Sequence, residues 1–284
     1  MISAWLAFTG FAQTEGVTDP PASESLAKRS TLTLGTSYSN NANYYGQKAA
    51  ERMPYLLGFA SWKHYSGFYI TGMGYRLIND TSRTVSATAL SAGVTFKMSE
   101  TVSADLSYSH TFYPSGSPFL QAANANSLSA SLTFDRWLST TANVDYAFGK
   151  TNDLFASLST GKFINLGKLF NPGDFLSVTP SAEVVGGTRH FYESYVTQKR
   201  LRDSIAGLPL PPLFNDTEEQ TTSVTSKRGT SFDMLTYNFK LPLAYNRASY
   251  QLELAYQLSI LSNKNAPSTG RTNSFFTASF YYQF

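Results

Sequence analysis

A chain of 284 residues with 15% aromatic but only 14% charged side chains has room for one large all-β domain, yet carries too few charges to solvate the surface of a soluble globule of that size. A formal charge of +3, with the basic residues scattered, excludes a nucleic-acid-binding face. The absence of cysteine excludes thiol nucleophiles, disulfides and thiolate metal sites, and suits a chain exported before it folds.

Residues 2–12 form an apolar run in which Gly10 and Ala12 precede a plausible cut before Gln13, so 1–12 reads as a truncated signal peptide without its basic n-region. The run is too short for a transmembrane helix, which needs about 20 residues. Residues 13–29 read as a polar, proline-containing lead-in, and 30–284 as the folded domain.

From Thr31 onward the hydrophobic period is two. About twelve segments are expected as strands: 31–39, 55–65, 68–77, 84–98, 101–113, 126–137, 138–149, 154–166, 175–188, 232–245, 250–261 and 272–284. In the eleventh, Tyr250, Leu252, Leu254, Tyr256, Leu258 and Ile260 share one face, opposite Gln251, Glu253, Ala255, Gln257 and Ser259. In 55–65, by contrast, neither face is clearly greasier. The Gly72-Met73-Gly74 run sits inside a strand, where glycines ease close side-chain packing.

Most segments reach about 10–12 residues, enough to cross a bilayer at a tilt, whereas soluble strands average roughly 5–6. Aromatics such as Phe112, Phe134, Tyr245, Tyr250 and Tyr282 mark the ends of the apolar faces, as an interfacial girdle requires. Tight connections alternate with longer ones at 40–54, 114–125, 189–231 and 263–271. An even number of strands puts both chain ends on the short-turn side. The fold class expected is all-β: a single transmembrane, antiparallel, up-and-down β-barrel of about twelve strands.

The last segment, with Phe276, Ala278, Phe280, Tyr282 and Phe284 at alternate positions, resembles the terminal strand of bacterial outer-membrane β-barrel proteins. That resemblance implies recognition by the barrel assembly machinery, with Phe276, Phe280, Tyr282 and Phe284 as the signal. It also implies residence among the lipids of a Gram-negative outer membrane, with both chain ends periplasmic. A superfamily of this breadth does not specify function.

Ionised groups are costly in hydrocarbon, so Arg76, Lys97, Asp105, Asp135, Asp145, Glu183, Lys240 and Glu253 are expected to line the lumen. They serve either as the wall of a pore or as charge pairs that stiffen the barrel. The connection 189–231, apolar and proline-stiffened around Leu208 to Phe214, is expected to fold into the lumen, to form an external binding surface, or to be a mobile surface loop. His110 faces outward near the loop end of its strand, where a lipid hydrolase would place a histidine, but the Ser107-Tyr108-Ser109-His110-Thr111 run matches no hydrolase motif. His64, His110 and His190 lie on distant segments without metal-ligand spacing, and neither a metal nor a cofactor is expected. The reading is a porin-like channel for small polar solutes. The alternative is a non-conducting binder, adhesin or structural barrel acting through 40–54 and 189–231, and a lipid-modifying enzyme comes third.

Overall fold

The structure, a computed structural model, describes residues 29–48, 52–80, 84–114, 124–150, 152–170, 173–188, 232–262 and 271–284. The expected signal peptide 1–12, the lead-in up to residue 28 and the connection 189–231 lie outside these residues.

The period-two segments become β1 (Thr31–Ser39), β2 (Tyr55–Lys63), β3 (Phe68–Leu77), β4 (Ala87–Lys97), β5 (Val102–Phe112), β6 (Asn126–Asp135), β7 (Ser139–Phe148) and β8 (Asn152–Gly161). They continue with β9 (Ile164–Gly167), β10 (Asp174–Val178), β11 (Ser181–Thr188), β12 (Phe232–Arg247), β13 (Tyr250–Leu261) and β14 (Thr272–Gln283). Each of β1–β8 pairs antiparallel with its sequence neighbour, β8 pairs with β11, and β11 to β14 follow in order. β1 then pairs with β14, from Thr33 opposite Gln283 to Ser39 opposite Thr277, and the sheet closes on itself as a barrel of twelve strands. Closure leaves the twelve-strand ring without an open edge, the condition for a sheet to stand in hydrocarbon.

Two short strands, β9 and β10, stand outside this ring as in-line extensions of β8 and β11. Register passes through the break unchanged: Gly161 faces Ser181 and Ile164 faces Val178. Prolines cause the interruption. The Lys162 amide donates to the Pro180 carbonyl at 3.1 Å, and the Thr179 amide donates to the Pro242 carbonyl at 3.1 Å. The reciprocal bond of each pair would need a proline N–H, which does not exist. The eighth and ninth expected segments, 154–166 and 175–188, are thus each one barrel wall cut in two by a missing donor.

Facing follows the alternation. Along β12 and β13, Phe239, Leu241, Leu252, Leu254 and Tyr256 point outward and are about half exposed, while Asn238, Asn246 and Ser259 point inward and are buried. Large apolar side chains recur outward on neighbouring strands, including Leu34, Ile70, Leu90, Leu106, Leu128 and Phe280. They form a continuous greasy belt. At the short-turn rim Trp137, Phe170 and Phe284 are strongly exposed, and the Lys162 ammonium sits 4.3 Å above the Trp137 ring. Phe112, Tyr146, Tyr237 and Phe276 stand nearer the opposite rim. Aromatics at both edges of an apolar belt, joined at one edge by a snorkelling lysine, match a bilayer's two interfaces.

One ambiguity of the sequence is explained and one expectation is corrected. The ambiguity of 55–65 has a cause: the inner face of β2 carries Tyr55, Leu57 and Phe59, buried in an internal apolar cluster, so both faces of that strand are greasy. Gly72 and Gly74 face outward and do not serve tight packing. Nothing lies within 4 Å of where a Cβ of Gly74 would stand, and the nearest atom to that of Gly72 is Leu90 Cδ2 at 3.7 Å.

Candidate functional site: a lumen spanned by the first loop

The chain leaving β1 does not stay on the surface. It turns into the barrel as a tight hairpin in which the Tyr44 amide donates to the Gln47 carbonyl at 2.8 Å and the Gln47 amide donates to the Tyr44 carbonyl at 2.9 Å. The central residues, Tyr45 and Gly46, have φ of 50° and 87°. Two positive φ values between reciprocally bonded residues make a type I′ turn, for which glycine is the favoured second residue. Tyr45 accepts a conformation that costs a non-glycine residue about 1–2 kcal/mol, so the surroundings must hold it there.

They do so from several walls. The Thr236 hydroxyl on β12 donates to the Tyr45 carbonyl at 2.7 Å, and the Asn273 side-chain amide on β14 donates to the Gly46 carbonyl at 2.9 Å. Asn43 donates to Gln257 Oε1 on β13 at 3.1 Å. On the far side the Tyr45 ring stacks on Phe155 of β8, centroids 4.1 Å apart, and its hydroxyl donates to Asp145 of β7 at 2.6 Å. The hairpin therefore leaves β1 and reaches β7 and β8, spanning the lumen at its loop end. Gly46 fits only because it lacks a side chain, since a Cβ there would stand 2.5 Å from Asn238 Oδ1 and 2.9 Å from Thr236 Cγ2.

Asp145 is the anchor of this arrangement. It is buried, and it also accepts from Ser129 and, at 2.7 Å, from Asn143. Removing one donor from a buried carboxylate costs about 1–3 kcal/mol. Tyr45→Phe should therefore leave the barrel intact and lower hydrogen-exchange protection of the Tyr44 and Gln47 amides by roughly tenfold or more. Unchanged protection would mean that the hydroxyl does not latch the hairpin.

The eight side chains expected in the lumen divide by place. Asp105 faces inward on β5 and accepts from the Tyr69 hydroxyl at 2.9 Å and the Thr95 hydroxyl at 3.0 Å. Tyr69 reaches it from β3 by lying across Gly93 of β4, where a Cβ would meet the ring at 2.5 Å. Glu183 on β11 accepts from Asn238 at 2.9 Å and pairs with Lys240 of β12 at 2.9 Å. Glu253 faces inward on β13, with the Gln251 amide 3.4 Å away. Lys97 and Asp135 have inward parity but end their strands at the short-turn rim, where both are exposed. Arg76 is the correction. It stands opposite Leu56, on the outward face of β3, exposed, at the loop end of the strand. β3 carries Tyr75 and Leu77 on its inner face, in the internal apolar cluster, so near its loop end the greasier parity is the luminal one. At the membrane edge a guanidinium can snorkel to headgroups.

The residues that sequence reasoning missed are Asn43, Tyr44, Tyr45 and Gly46. Asn43 and Gly46 flanking two tyrosines carried a turn signal, but nothing local says that a turn lies inside a barrel. Expecting 40–54 as an outer binding surface is therefore corrected for 41–47, which are largely buried in the lumen.

His110 lies outward on β5, its Nδ1 2.7 Å from Asn126 Oδ1, which also accepts from the Tyr108 hydroxyl at 2.8 Å. A histidine held by an asparagine is half of a hydrolytic arrangement. Its described neighbours on that face, Leu90, Tyr108, Phe112 and Asn126, supply no serine, and Ser109 and Ser127 have inward parity. Among the described residues no group of three potential metal ligands occurs.

A closed ring, an apolar outer belt, two aromatic rims and an interior of polar wall residues around a buried apolar cluster define a membrane-spanning β-barrel of the outer-membrane type. No protein-family model matches the chain, and no curated protein matches its sequence. Solved structures similar to it include the KdgM porin, at 10% identity and a TM-score of 0.45 over 89% of this chain and 99% of that one. An outer membrane channel from Pseudomonas putida F1 matches at 13% identity and 0.45 over 94% and 100%. LpxR from Salmonella typhimurium matches at 11% identity and 0.45 over 88% and 99%. None of these values identifies a particular protein.

Proposed function

We propose that the protein is a porin-like channel of the bacterial outer membrane, passing small polar solutes, with its loop end narrowed by the hairpin at 41–47. The observation that carries this reading is the inner wall below the hairpin. Asp105, Glu253 and the Lys240–Glu183 pair, with the Gln251 amide beside them, line a closed ring with ionisable groups that are only partly buried. A barrel filled purely for rigidity has no need of partly solvated charges in its interior.

In this reading both chain ends and the short turns face the periplasm, and the longer connections face outward. Phe276, Phe280, Tyr282 and Phe284 act as the terminal signal for the barrel assembly machinery. Recognition of that kind fits the exposed outward row these residues form on the strand that closes the ring.

One observation favours a second reading, a non-conducting barrel with a binding or structural role: the hairpin crosses the lumen from β1, bonds Asp145 of β7 and packs on Phe155 of β8. Conductance separates the two. Purified protein in a planar bilayer should give discrete, reproducible current steps that grow when the hairpin is released. Silence at high protein load, for both wild type and a hairpin-released variant, would leave the non-conducting reading in place.

A further inference from the structure

Between the rims, the inner wall is not electrically balanced. Asp105, Asp145, Asp153, Glu183 and Glu253 occupy inward strand positions there, and among the described strand residues Lys240 is the one basic side chain that does so. Lys240 is itself matched by Glu183 at 2.9 Å. Asp145 and Asp153 are buried at the hairpin end and bonded to neutral donors, Tyr45, Ser129 and Asn143 for the first and Asn124 and Thr188 for the second.

Asp105 and Glu253 are placed differently. Each is half-buried, and each is the fourth residue of its strand from the short-turn end. β5 and β13 are six places apart in the ring of twelve, so the two carboxylates stand on opposite walls. Their described partners are neutral: the hydroxyls of Tyr69 and Thr95 for Asp105, the amide of Gln251 for Glu253. Neutral donors hold a carboxylate in place without cancelling its charge. At the short-turn mouth the exposed strand ends Lys63, Lys97 and Asp135 sum to one positive charge, against the two negative charges of Asp105 and Glu253.

A narrow lumen with low-dielectric walls focuses the field of its charges, and carboxylates around a pore set a preference for cations. We infer that this lumen admits cations and uncharged polar solutes and disfavours anions, with Asp105 and Glu253 as the side chains that set the preference. The inference rests on the channel reading.

Reversal potentials in planar bilayers under a potassium chloride gradient test it. Wild type should show a potassium-to-chloride permeability ratio above one. The double variant Asp105→Asn/Glu253→Gln should bring that ratio down toward one, and Lys240→Gln, which unmasks Glu183, should raise it. Heat-modifiable migration of each variant confirms that the barrel has formed. A chloride-preferring wild-type current, or a ratio unmoved in the double variant, overturns the charge inference and leaves the channel standing. No current from wild type or from a hairpin-released variant overturns the channel reading, and the inference falls with it.

Discussion

Leu254→Arg is expected to impair assembly and sharply lower accumulation of the folded barrel. Leu254 lies near the middle of β13, half exposed on the outward face, opposite Leu243 on β12 and Ala278 on β14. It belongs to the row Leu252, Leu254, Tyr256, with no polar side chain beside it to share a charge. An arginine at the bilayer midplane of a barrel costs about 2–4 kcal/mol. That is a large part of the roughly 5–15 kcal/mol by which folded proteins are stable. Gln257→Arg, three residues along the same strand but facing inward, should still assemble, although it removes the acceptor of Asn43. The readout is the difference in migration between unboiled and boiled samples in SDS, together with the membrane fraction in which the protein is found. Equal tolerance of the two substitutions would mean that the outward row does not touch lipid.

The second large effect is expected at Gly46. Valine there must adopt a φ near 87°, in which a β-branched residue is strongly disfavoured, and its Cβ would press on Asn238 and Thr236. Strain and overpacking of this kind each cost about 1–3 kcal/mol. The hairpin is held by a handful of hydrogen bonds worth roughly 0.5–1.5 kcal/mol apiece and by one ring stack. Gly46→Val should therefore free the hairpin without opening the barrel, because no strand pairing passes through residue 46. Single-channel conductance should rise several-fold, and protection of the Tyr44 and Gln47 amides should collapse. A variant with normal migration, unchanged conductance and unchanged protection would show that 41–47 does not bar the lumen.

These two experiments address different layers of the molecule. The first asks where the membrane is, and depends on the outward row alone. The second asks what fills the interior, and depends on contacts between residues up to 227 positions apart, such as Asn273 with Gly46. A barrel can be sound in the first respect and either open or shut in the second. This is why conduction has to be measured separately from assembly.

The alternation of the strands was legible in sequence because a strand's two faces are set by residue order alone. Tyr250 to Ile260 reads the same on paper and in the structure. Pro180 and Pro242 were visible too, but their joint effect was not. Only the register that puts Thr179 opposite Pro242 makes them interrupt one wall at one height. The facing of Arg76 was not legible in this way, because the inner face of β3 near its loop end is apolar where it packs against β2 and β4 inside the barrel, a fact belonging to three strands rather than one.

What the residues determined by themselves was a barrel of about twelve walls, its lipid-facing rows and the inward place of Asp105, Asp145, Glu183, Lys240 and Glu253, since each depends on local order and the price of charge in hydrocarbon. What only the closed tertiary structure decided was the occupant of the lumen. The hairpin's site is made by β7, β8, β12, β13 and β14 together, and no local pattern can record a meeting of strands that far apart in the chain.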